Sequence, residues 1–152
     1  MKKILIAVLA TVLFVGCGSK KLSYDELLKS WNNYEVSTVQ VGTDGTKFLK
    51  VWGYGKNVSA AIVQAKKNAV HACLFRGIPG TSTAMATPAI VRDPNVMNDA
   101  NAAQYFYDFF ETTDTYIQFV NVNTDGMPSG QDRREVKGGY KVALYVQSCT
   151  TT

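Results

Sequence analysis

Trp52-Gly53-Tyr54-Gly55-Lys56-Asn57, followed by the stretch from Val58 to Arg76, decides the fold. Lys47 to Tyr54 reads as a strand, and the two glycines let it turn sharply into a helix. From Val58 onward, Val58, Ile62, Ala65, Ala69, Ala72 and Cys73 recur at three- and four-residue spacing, while Lys66, Lys67 and Asn68 fall opposite. Asn57 or Ser59 can cap the start, and Gly77 can end the helix in a left-handed conformation. The small Ala65, Ala69 and Ala72 allow this helix to lie close against a sheet. A Gly-x-Gly before a helix also invites a phosphate-loop reading. A dinucleotide fingerprint needs a third glycine where Val58 stands, and a P-loop needs Gly-Lys-Ser/Thr, so the glycines read as strand-to-helix punctuation.

Working outward, Tyr34 to Val41 alternates and is rich in β-branched residues, and Gly42-Thr43-Asp44-Gly45-Thr46 supplies a hairpin turn into the Lys47 strand. Residues 77–97, with Pro79, Pro88 and Pro94, break regularity, a long loop that reads as a functional flap or a mobile excursion. Asn98-Asp99 can cap a helix through about Thr112, although its aromatic residues also alternate passably as a strand. Thr115 to Asn123 reads as a strand, Thr124 to Asp132 as a loop, and Arg133 to Gln147 as a last strand kinked at Gly138-Gly139. Ser23-Tyr24-Asp25-Glu26 forms a capping box for a short helix, about 24–32, with Leu27, Leu28 and Trp31 on one face. This order predicts an α+β fold: an antiparallel sheet of about four strands packed by a long alanine-rich helix and one or two shorter helices.

The whole chain has 152 residues, 46% of them hydrophobic and 11% aromatic, with a formal net charge of +4. That is one domain's worth of chain, and too aromatic for disorder. Part of the charge belongs to the N-terminus. Met1-Lys2-Lys3 is a positive n-region ahead of a 12-residue apolar run, Ile4 to Val15. A membrane-spanning helix needs about 20 such residues, so the run fits a signal peptide. Leu13-Phe14-Val15-Gly16-Cys17 resembles the lipobox of bacterial lipoproteins, with Phe14 where Leu is usual. The resemblance implies a signal peptide over residues 1–16, a lipidated tether over 17–22 beginning at Cys17, and a single domain over 23–152. Acyl chains such as palmitate on Cys17 then fix the chain to the membrane, each buried methylene contributing about 0.8 kcal/mol. By resemblance to the lipoprotein sorting rule, Gly18 in place of Asp implies the outer membrane facing the periplasm rather than the inner membrane. Loss of Lys2 and Lys3 reduces 16 basic residues to 14 against 12 acidic, a net of +2. With no basic run longer than two, nucleic acid is not an expected partner.

The residues that carry chemistry are sparse. His71 is the sole histidine, and no metal-binding spacing surrounds it. On a helix His71 and Cys73 point about 200° apart, too far to form a nucleophile–base pair. In an export compartment Cys73 and Cys149 can form a disulfide, or stay as a core residue and a tail thiol. The carboxylates are scattered, with no pair that the sequence places in one cleft. Nothing here implies a metal, a cofactor or an enzyme. Tyr105-Phe106-Tyr107-Asp108-Phe109-Phe110 is either core or the lining of a binding surface, which makes Tyr105, Tyr107, Phe109 and Phe110 the candidate binding residues.

Trp52 to Asn57 with Ala60, Ala61, Ala65, Ala69 and Ala72 looks like the strand–Gly-x-Gly–alanine-helix signature of LPP20-type envelope lipoproteins. The N-terminal domains of flagellar-assembly periplasmic proteins share that module. Gly139 to Val146 resembles its closing strand, so the resemblance covers residues 47–76 and 134–147. It implies a small α+β domain, a long alanine-rich helix against a curved antiparallel sheet, with no catalytic residues. The expectation is a non-enzymatic, lipid-anchored envelope protein that binds an envelope protein through the 78–97 loop and the 105–110 aromatics. The alternative is a small-molecule or glycan ligand held in an aromatic pocket. Mass spectrometry of the membrane-extracted chain should give the mass from Cys17 onward plus acyl groups, and Cys17→Ala should lose both cleavage and acylation. An unacylated wild type refutes the anchor.

Overall fold

The computed structural model describes residues 34–123 and 126–147. The signal segment, Cys17, the expected 24–32 helix and Cys149 lie outside the described residues. The fold is α+β, an antiparallel sheet of five strands with two helices. Strands β1 (Val36–Val41) and β2 (Lys47–Gly55) form the expected hairpin. Helix α1 runs from Val58 to His71 and continues as a π-turn through Ala72–Arg76. After the 77–97 segment come α2 (Ala100–Tyr107), a second π-turn (Asp108–Thr112), and β3 (Asn121–Val122). Strands β4 (Arg133–Val136) and β5 (Gly139–Gln147) close the sheet.

Two strand expectations are corrected. Arg133 to Gln147 is a hairpin, because Gly138 takes a left-handed φ of 86° that reverses the chain. Thr115–Phe119 is a turn of 3₁₀ helix, leaving only Asn121–Val122 to pair with the end of β5. β5 is therefore central. β2 lies along one edge, while β4 and β3 share the other, β4 at Gly139–Val142 and β3 at Val146–Gln147.

α1 covers one face of this sheet. Asn57 caps it by accepting from the Ala60 N–H at 2.8 Å. Leu49, Val51, Leu144 and Val146 meet Ala65, Ala69, Ala72 and Cys73 in the core. The helix lies so near β2 that a Cβ on Gly53 would sit 2.3 Å from both Ala61 O and Ala65 N. On Gly55 it would sit 2.3 Å from Ala61 N. Here the glycines serve close approach, since neither has a left-handed backbone.

The opposite face of the sheet satisfies itself. Lys50 and Lys141 lie 5.1 and 4.6 Å from the centre of the Trp52 ring. Each is held by a carboxylate at 2.6 Å, Lys50 by Asp132 and Lys141 by Glu35. One covered and one charged face is the ordinary condition of an antiparallel sheet.

Lys67 and Asn68, expected opposite the packed face, are buried, at 9% and 2% exposure. A second cluster of Val70, Phe110 and Tyr116 covers that flank of α1. Asn68 Nδ2 donates to Trp52 O at 2.8 Å, tying helix to strand. Lys67 reaches Glu111 at 2.6 Å and lies over the Tyr116 ring. Burying such groups is tolerable only because each is partnered.

Gly53→Ala should lower stability by about 3 kcal/mol, since backbone rather than a mobile side chain meets the new methyl. Gly45→Ala, with nothing within 4 Å, should cost only about 1–2 kcal/mol for its left-handed backbone. Urea unfolding monitored by circular dichroism measures the difference, and equal losses would refute the close-approach account.

Candidate functional site

The 77–97 segment is tied to the rest of the domain by hydrogen bonds. A helix leaves its last carbonyls without partners, and here the segment supplies them. Ile90 N–H donates to Cys73 O at 3.1 Å and Val91 N–H to Leu74 O at 2.8 Å. Ile78 and Thr87 pair with each other, Thr38 Oγ1 donates to Pro79 O, and Lys47 Nζ donates to Thr87 Oγ1 and Met85 O. The polar positions of β1 and β2 thus staple the loop to the sheet edge.

Between this loop and the end of α1 opens a cleft of about 860 Å³. Its floor holds Tyr34, His71, Phe75 and Arg76, and its other wall comes from residues 88–97. Tyr34 Oη and His71 Nδ1 are 2.7 Å apart, a hydrogen bond whose donor depends on the imidazole tautomer. Arg76 Nη1 donates to Tyr34 O at 2.8 Å, and its guanidinium lies over the Tyr34 ring. Burial, with help from the Arg76 charge, lowers His71 to a pKa of about 4. Burial raises the Tyr34 phenol well above its ordinary value. Both groups are therefore neutral at pH 7. The cleft combines apolar walls with the guanidinium groups of Arg76 and Arg92, a lining that suits binding.

The four candidate aromatics separate. Phe110 is fully buried, stacked near Tyr116 with ring centres 5.9 Å apart, so it belongs to the core and is withdrawn as a binding residue. Tyr107 and Phe109 are half-buried, and Tyr105 is 63% exposed. Tyr105 stacks on Phe109 with centres 6.4 Å apart, and Phe109 meets Phe119 at 5.8 Å. Phe119 and Ile117, 54% and 50% exposed, extend the apolar strip. Cys73 is buried in the main core, and Asp99, expected as a helix cap, accepts from Ala102 N–H at 2.8 Å.

Phe119, Arg76 and Arg92 were missed from sequence, and one signal was available. Residues 93–132 contain seven carboxylates, Asp93, Asp99, Asp108, Glu111, Asp114, Asp125 and Asp132, and no lysine or arginine. The exposed aromatic strip lies inside this wholly acidic segment. Among the described residues no group of three or more His, Cys, Asp or Glu is placed to hold a metal ion.

Comparison with protein-family models, curated proteins and solved structures found no match.

The His71 shift fixes a pH dependence. Between about pH 6.5 and 4 the unfolded chain holds a proton on His71 that the folded chain does not, so stability is lost as pH falls through that window. The loss should be about 3 kcal/mol, complete below pH 4 and absent above 6.5. His71→Asn should flatten that part of the profile while the carboxylate contribution remains. Parallel urea titrations of the two chains at intervals from pH 7 to 4 test this; coincident slopes would contradict it.

Proposed function

We propose that this chain is a non-enzymatic, lipid-anchored protein of the bacterial cell envelope whose domain binds another envelope protein. The anchor rests on the lipobox-like residues 13–17, and the outer membrane facing the periplasm on Gly18. The observation that carries the binding role is the strip of exposed Tyr105, Ile117 and Phe119, with half-buried Phe109 among them. An aromatic helix face left open to solvent, with no residue of Ala100–Tyr107 buried, supports this reading. Its surroundings state the partner's chemistry. Asp99 and Asp114 are exposed and no basic residue lies in the segment, so the matching surface carries an apolar anchor with a basic rim. Charge at the rim would mainly set encounter rate and salt dependence, while Tyr105, Phe109 and Phe119 would supply the buried centre.

A second reading, a small-molecule or glycan ligand, draws on the cleft of about 860 Å³. That volume lies within the roughly 300–1,000 Å³ of ordinary ligand sites.

Photo-crosslinking in intact cells separates the two. A photoreactive residue at position 105 or 119 should yield a discrete protein adduct, and one at Val63, exposed on α1, should not. Tyr105→Asp should abolish the adduct at position 119. Absence of adducts at both strip positions, or the same adducts from Val63, would overturn the protein-binding reading.

A further inference from the structure

A partner for the aromatic strip needs an apolar centre inside a basic rim, and the chain carries such a surface itself. Residues 133–141 hold Arg133, Arg134, Lys137 and Lys141 against one acid, Glu135. That balance is the reverse of the 93–132 segment just before it. β4 and β5 fold these residues into the hairpin that turns at Gly138. Pairing across β2, β5 and β4 sets Tyr54, Lys141 and Arg134 side by side. Residues directly opposite on neighbouring strands share a face, so all three lie on the outer face of the sheet. Val136, two residues beyond Arg134, is on that face too. Tyr54, Val136, Arg133, Arg134 and Lys137 are all exposed. Exposed Lys56 joins them at the hairpin end, its Cα 3.2 Å from where a Cβ on Gly139 would stand. The result is a basic patch around one aromatic and one aliphatic side chain.

The strip and the patch lie at opposite ends of β5. Gly139 opens that strand at the basic hairpin, and Gln147 closes it beside Asn121, which follows Phe119 by two residues. At about 3.4 Å per residue, the two ends of the strand are about 27 Å apart. The two surfaces also face differently. Phe109 packs on the cluster that flanks α1, whereas Tyr54 and Arg134 are on the face opposite α1. Exposed Asp99 and Asp114 accompany the strip, while Arg76 and Arg92 line the cleft. Complementary surfaces at different places on one chain make a heterologous contact, in which each copy offers its strip to one neighbour and its patch to another.

We propose that the partner of the aromatic strip is a second copy of this chain, joined head to tail. Tyr105 and Phe119 of one copy pack against Tyr54 and Val136 of the next, with Asp99 and Asp114 set against the cations of the patch. The inference rests on the strip being a protein contact, and charge complementarity names the protein.

The test uses the purified full chain in detergent. A photoreactive residue at position 119 should give adducts of twice the monomer mass, cross-linked to peptides containing Tyr54 or residues 133–141. In sedimentation, Tyr105→Asp and the double variant Arg134→Glu with Lys137→Glu should each be monomeric. Mixed, they should recover a dimer and nothing larger, because one intact strip then meets one intact patch. All three substituted positions are exposed, and circular dichroism confirms that each variant is folded. A double variant that associates as well as the parent overturns the proposal, as do adducts that join strip to strip. A photoreactive residue at position 137 that captures only lipid assigns the patch to a membrane surface and overturns it too. A chain that is monomeric when pure, yet forms a strip adduct with a different protein in cells, ends this inference and leaves the protein-binding reading standing. A strip without adducts in either setting ends both.

Discussion

The distance between α1 and β2 is the constraint on which the rest depends. With no side chain at Gly53 and Gly55, the helix backbone comes into contact with the strand, and the helix presents Ala61, Ala65, Ala69 and Ala72 to the core. Gly139, which opens β5, has Gly55 O only 2.2 Å from where its Cβ would stand, so the end of β2 and the start of β5 are themselves held close. A helix held this low shields one face of β2 and β5, and Leu49, Val51, Val142 and Val146 are almost wholly buried. The cost is a thin core. Small side chains bury little area each, and stability at roughly 25 cal/mol per Å² then relies on contact over the whole helix length.

That length accounts for what is built at its end. Ala72 and Cys73 of the π-turn still pack in the sheet core, while the other flank of α1 and the last carbonyls of the turn require covers of their own. The second cluster around Phe110 and Tyr116 covers one flank, and Lys67 and Asn68 are buried there with partners rather than replaced by apolar residues. The 77–97 loop covers the end by donating to the carbonyls that the helix leaves open. His71 sits where these covers meet and is neutral because of it. Burial of this single histidine thus ties folding stability to pH.

The charges are unevenly spread along the chain. The outer sheet face pairs Lys50 and Lys141 with carboxylates around Trp52. The segment from 93 to 132 carries acids alone and, in Tyr105 and Phe119, the open aromatics. Two of its acids, Glu111 and Asp132, are neutralised by Lys67 of α1 and Lys50 of β2, so the fold pairs across the chain what the sequence keeps apart.

The sequence by itself determined the hairpin, the long alanine helix and the α+β class, and narrowed the caps to Asn57 or Ser59 and Asn98 or Asp99, because spacing, capping and turn chemistry are local. It also placed the break at 77–97. Only the tertiary structure decided that Arg133 to Gln147 turns back at Gly138, that Phe110 is core while Tyr105 is not, and that Lys67 and Asn68 are buried. An aromatic run with residues on all sides carries no period to say which side faces inward. A lysine looks solvent-facing until a distant carboxylate, here Glu111, 44 residues away, arrives to neutralise it. The cleft was invisible for the same reason. It exists between a helix end and a loop that only backbone hydrogen bonds over long separations bring together, and such bonds leave no mark in side-chain pattern.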